Sequence, residues 1–149
     1  ITLNDAPRLV RSIPTGFRSL TKAAAQNLNV QEQQASQFII KFGIDPQKLE
    51  GQIARALDST IDQFASELIK SIKFFQTKYP NISIESMYVS GYTTSVPGLA
   101  DYIAKKTGIA VQPATPWQRV HVSSTDQDLL APISTQFAVV VGLAQRGHV

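Results

Sequence analysis

The sequence predicts a layered α/β (α+β) protein. Helical periodicity outweighs strand alternation along the chain, and the strand-like runs are separated by helical ones. One stretch near the middle also keeps a single apolar stripe for about 30 residues. The size agrees: 149 residues with 43% apolar side chains make one domain with a real core.

From the N-terminus, Ile1-Thr2-Leu3 reads as the tail of a strand, so the chain is expected to be cut from something longer. Asn4 to Pro7 reads as a turn, and Arg8 to Ile13 alternates as a strand ended by Pro14-Thr15-Gly16. Ser19-Leu20-Thr21 opens a helix rich in helix formers. A second helix runs from about Glu32 to Phe42, and Gly43 stops it.

Asp45-Pro46 is a helix start, with Asp as cap and Pro in the first turn. Leu49, Ile53, Leu57, Ile61, Phe64, Leu68, Ile72 and Phe75 then recur at steps of three or four, which predicts a rod of roughly 45 Å. Tyr79-Pro80-Asn81 ends it. "SIESMYVS" is a short strand leading to Gly91. "GLADYIAKKTG" is an amphipathic helix closed by Gly108, and "IAVQPA" is another strand. Ser123 to Asp128 reads as a polar loop. The last element, "ISTQFAVVVGLAQR", suits either a β-branched strand or a helix with Ile133, Phe137 and Ala144 on one face.

Composition excludes several classes. There is no cysteine, hence no disulfide framework and no thiolate metal site. No apolar run approaches the roughly 20 residues that span a bilayer. The net charge of +3 comes from 14 basic and 11 acidic residues scattered along the chain, which is not the one-sided basic face of a nucleic-acid binder. "KSIKFFQTKY" mixes basic and aromatic residues, but Ile72 and Phe75 belong to the core stripe, and lysines at a helix C-terminus complement its dipole. His121 and His148 stand alone, so nothing points to a nucleophile–base pair. Asp126 and Asp128 are the only close carboxylate pair outside the helices, in a loop where solvation is the ordinary state. Neither G-x-x-x-x-G-K-[ST] nor G-x-G-x-x-G is present, so the chain carries no complete phosphate cradle. Trp117, after two prolines, reads as an anchored core aromatic, with an exposed interface Trp as the alternative.

Taken in order, these residues resemble a family. Lys70-Ser71-Ile72, Phe74-Phe75, Gly91, Pro97-Gly98-Leu99, Thr115-Pro116-Trp117 and Ala138 to Arg146 fall where the C-terminal part of the type IV pilus assembly protein PilM family has its matching runs. "VRSIPTGFRSLTKAAAQNLNV" is similar to that family's Arg-x-Ile-Pro-x-Gly-Gly-x-x-Leu-Thr run. PilM proteins are actin-like and related to FtsA. The resemblance covers nearly the whole chain. It implies the second lobe of an actin-like (ribonuclease H-like) fold, with a sheet-bearing subdomain from residues 1–30 and 84–149. A helical part with the long helix, about 31–83, is inserted into it. The last element is then a helix, and the first lobe and an Asp-x-Gly-type phosphate hairpin would precede Ile1.

The resemblance also implies a site and a role. Gly91, with Tyr92 and Thr93, should lie beside the adenosine of ATP (with Mg²⁺), and Gly16 with Phe17 should approach from the other side. The family's paired glycines are single here, because Phe17 and Tyr92 replace the second of each, and side chains there compete for nucleotide space. The family's Ala-Glu-x-x-Lys helix motif reads Ala35-Ser36-Gln37-Phe38-Ile39, so Ser36 and Ile39 stand for the acid and the base. Lys41 points elsewhere. The implied role is a cytoplasmic scaffold, peripheral to the inner membrane, that binds a PilN-like cytoplasmic tail and couples to the pilus motor. A nucleotide-dependent ATPase and an FtsA-like membrane-linked filament protein are the alternatives. This chain alone, without the phosphate loops, is expected to hydrolyse nothing.

Overall fold

The computed structural model describes residues 1–146, apart from the side chains of Thr93, Arg119, Ser124, Gln127 and Pro132. His148 lies outside these residues. Strands β1 (Thr2–Leu3) and β2 (Ala6–Pro7) form an antiparallel hairpin. Its two turn residues, Asn4 (φ 52°) and Asp5 (φ 58°), are left-handed, a conformation their short polar side chains tolerate.

The strand expected from Arg8 to Ile13 does not form. Alternation makes a strand only where a neighbour supplies the ladder; Ile1 bonds to Arg8 and Leu9 at the start of the segment, and among the described residues no ladder continues along it. Val10 is 83% exposed, and Arg11 instead reaches the long helix, binding the Glu67 carboxylate and Ser71 Oγ (3.1 Å).

Helix α1 (Phe17–Leu28) starts two residues before Ser19. Gly16 is the cap: its N–H donates to Ser19 Oγ at 3.5 Å, and the Ser19 N–H returns to the Gly16 carbonyl at 2.9 Å. Helix α2 (Glu32–Phe42) ends at Gly43, as read from sequence.

The long helix is shorter than its stripe. Asp45 caps only a turn, accepting the Gln47 N–H at 2.9 Å. Leu49 (φ 46°), Glu50 (φ 53°) and Gly51 (φ 72°) are all left-handed, which breaks the path. The Arg55 guanidinium holds the Glu50 carbonyl at 2.8 Å across that break. Helix α3 therefore spans Gln52–Lys78, 27 residues and about 40 Å. Leu49, the first residue of the expected stripe, is 45% exposed, whereas Ile53, Leu57, Ile61, Ile72 and Phe75 are buried.

Strands β3 (Ser86–Val89) and β4 (Ala110–Pro113) pair in parallel, Ser86 opposite Ala110 and Val89 opposite Pro113. Helix α4 (Leu99–Thr107) connects them, which is the crossover that a parallel pair requires. Ser123 to Asp128 is not a loop but mostly helix α5 (Ser124–Leu130). Its start has the Ser-x-x-Asp spacing of Ser123 and Asp126, whose side chains bond at 2.6 Å. A 3-10 segment (Ala131–Phe137) leads into α6 (Ala138–Ala144), so the ambiguous last element is helical.

One core joins α1 to α4 through Leu20, Ala24, Ile39, Leu57, Leu99 and Ile103. It depends on a tight backbone crossing. The Ile44 N–H donates to the Pro97 carbonyl at 3.0 Å. A Cβ on Gly43 (φ 60°) would stand 2.7 Å from the Pro97 carbonyl carbon, and one on Gly98 (φ 83°) 3.1 Å from Ile44 Cγ1. A second tie links α3 to α4: Asp62 accepts from the Tyr102 hydroxyl and from Lys106 Nζ at 2.8 Å. Lys106 first, then Tyr102, holds the Asp62 carboxyl below the usual range.

Gly43→Ala should cost about 2–4 kcal/mol in urea unfolding, combining a disfavoured φ with backbone overlap. Gly108→Ala, with φ 72° but open space around it, should cost about 1 kcal/mol; equal losses would mean that the crossing relaxes. The Asp62 tie predicts a pH dependence as well. Because the folded carboxyl titrates lower than the unfolded one, its contribution is present above the usual carboxylate range and lost as the pH falls through the lowered value. The gap in unfolding midpoint between the native protein and Asp62→Asn should therefore close in acid, and a gap constant with pH would contradict the assignment.

Candidate functional site

Gly91 (φ 74°) ends the run of β3 and opens a 3-10 turn, Gly91–Ser95. The last ladder bond, from the Ala114 N–H to the Val89 carbonyl (2.8 Å), lies just before it. A Cβ added at Gly91 or at Gly16 would meet nothing within 4 Å, so both backbones border open space. The residues after them meet: the Phe17 and Tyr92 rings lie 5.8 Å apart, tilted by 32°. The two side chains that follow the turn glycines thus pack on one another. Tyr92 remains 57% exposed.

A small hollow of about 20 Å³ lies beside Phe17, lined by Thr15, Gly16, Leu20, Ile61, Phe64 and Leu99. Of the other expected site residues, Ile39 is fully buried in the core. Ser36 is half-buried on α2 and makes no side-chain hydrogen bond among the described residues. Thr93 has its backbone in the 3-10 turn, and its side chain lies outside the described residues.

The sequence reading missed two residues. Thr94 Oγ1 lies 2.8 Å from the Gly91 carbonyl and 2.5 Å from Thr135 Oγ1. The second Thr of "YTTS" had a local signal, since a hydroxyl three residues after a turn glycine reaches back to its carbonyl. Thr135 had none, because only the fold brings it there.

Elsewhere, a larger hollow of about 680 Å³ separates β1 from the stretch Ile82–Tyr88, floored by Leu68, Ile72 and Phe75 of α3. The Trp117 ring packs 6.0 Å from Phe137, and its Nε1 is buried without an acceptor among the described residues. Asp126 and Asp128 are exposed, and no group of three metal-ligating side chains converges among the described residues. The assembled site thus offers backbone amides and aromatic faces, groups that bind and stack.

The strand–turn–helix–strand unit braced by a long helix is an actin-like α/β arrangement. A solved structure described as a PilM-PilN type IV pilus biogenesis complex superposes with a TM-score of 0.79 at 27% identity, over 95% of this chain and 40% of that one. The sequence profile of type IV pilus assembly protein PilM matches residues 9–148, and the chain belongs to that family. It spans about two fifths of the solved relative's length. No curated protein matches it.

The ring contact makes a quantitative prediction. A double-mutant cycle with Phe17→Ala and Tyr92→Ala, read by chemical unfolding, should give a coupling of about 0.5–1.5 kcal/mol. Strictly additive losses would mean that the rings do not meet in solution.

Proposed function

We propose that this chain is the second lobe of an actin-like scaffold of the type IV pilus machine. The intact protein binds a PilN-like tail at the inner membrane and couples it to the pilus motor. In this reading it is cytoplasmic and peripheral to the membrane; among the described residues no helix is long and apolar enough to cross one. The observation that carries the proposal is the fold match to a PilM in complex with PilN, together with family membership over residues 9–148.

The nucleotide side has closed in this version. Support comes from the Phe17–Tyr92 contact between the two turns and from the burial of Ile39. These residues do not fit ATP (with Mg²⁺) as paired glycines would. The lobe then works through its surfaces, and nucleotide hydrolysis is no part of its role.

Calorimetry on the intact protein tests both halves of this reading. A PilN-like tail peptide should bind with the same affinity with and without Mg-ATP. Absence of tail binding removes the scaffold role. A shift in tail affinity with Mg-ATP, or direct Mg-ATP binding, removes the closed site, whereas a gain of Mg-ATP binding only in Phe17→Gly/Tyr92→Gly supports it.

A further inference from the structure

We propose that Thr135 is a positioning residue for the Gly91 turn, acting through Thr94, and that this hydroxyl relay holds Tyr92 over Phe17. Thr135 lies 44 residues from Gly91 in sequence, in the 3-10 segment that leads into α6. Proton counting fixes the direction of the relay. Each threonine has one O–H to donate. The Thr94 hydroxyl has the Gly91 carbonyl at 2.8 Å, whereas Thr135 reaches that carbonyl only at 3.4 Å. The 2.5 Å contact between the two hydroxyls must also carry one proton. With two protons for three contacts, the arrangement that satisfies the two short ones has Thr94 donating to Gly91 and Thr135 donating to Thr94, and leaves the 3.4 Å contact without a proton. Each donation polarises the next, so the two bonds strengthen one another.

The Gly91 carbonyl needs such a partner. It stands past the last ladder bond at Val89, on a residue whose φ of 74° turns it out of the strand. The next residue is Tyr92, so the orientation fixed at Gly91 sets where that ring goes. The C-terminal segment therefore fastens the turn from outside. That the fastening keeps the nucleotide side covered rests on the closed-site reading above; the relay itself does not.

Hydrogen exchange of the intact protein without nucleotide tests the relay. Thr135→Val keeps the shape and removes the hydroxyl. It should speed exchange of residues 91–95 by about five- to tenfold, the factor that one net hydrogen bond supports, with α1 unchanged. Thr135→Ser should restore the native rate. Unchanged exchange in folded T135V, or a T135S as fast as T135V, overturns the proposal. If T135V does not fold, Thr94→Val decides: loosening of both 91–95 and 131–137 supports the relay, and loosening of 91–95 alone overturns it. Mg-ATP binding by the native protein would sink the closed site and leave these exchange rates as the measure of the relay.

Discussion

The fold is organised around a place where two backbones touch. Gly43 and Ile44 leave α2 against Pro97 and Gly98, which enter α4, with no room for a side chain on Gly43. One hydrogen bond, from Ile44 to Pro97, fastens the contact. This crossing sets how α2 sits against the strand–helix–strand unit, and so whether Ile39, Leu57 and Leu99 share one core. Close packing of this kind tolerates little slack. The Pro97-Gly98-Leu99 run is in this sense a joint between elements, and its glycine serves packing and a left-handed turn at once.

The candidate site adjoins this crossing, because the Gly91–Ser95 turn runs directly into Val96 and Pro97. β3 and its ladder deliver Gly91, and α1 delivers Gly16 and Phe17. Both glycine backbones border open space, and the residues after them pack ring against ring. The frame is held by the α1–α4 core and the turn by aromatic contact and a pair of hydroxyls. Fold and site are separate properties of the chain.

The sequence was most legible where the signal is local. Gly43, Gly108 and Tyr79 end their helices where expected, and the "SIESMYVS" and "IAVQPA" runs became β3 and β4. It was least legible where neighbours decide. Arg8 to Ile13 has a strand's alternation but no ladder. Asp45-Pro46 has a helix start's chemistry, yet three left-handed residues intervene before Gln52. The helix from Ser124 was announced by Ser123-x-x-Asp126, a signal outweighed by the polar character of the run.

By itself the sequence carried the α/β class, the helices from Phe17 to Lys78, the strand–helix–strand unit from Ser86 to Pro113, the apolar face of α3 and the resemblance to the PilM family. The elements among these are written in local patterns along the chain. Only the tertiary structure decided that Phe17 and Tyr92 meet, that Ile39 is core, that Thr135 reaches Gly91 and that Gly43 lies against Pro97. The reason is physical. Periodicity reports which face of an element is apolar, whereas a contact between residues tens of positions apart depends on how the elements cross, and that is fixed only when the whole core is packed.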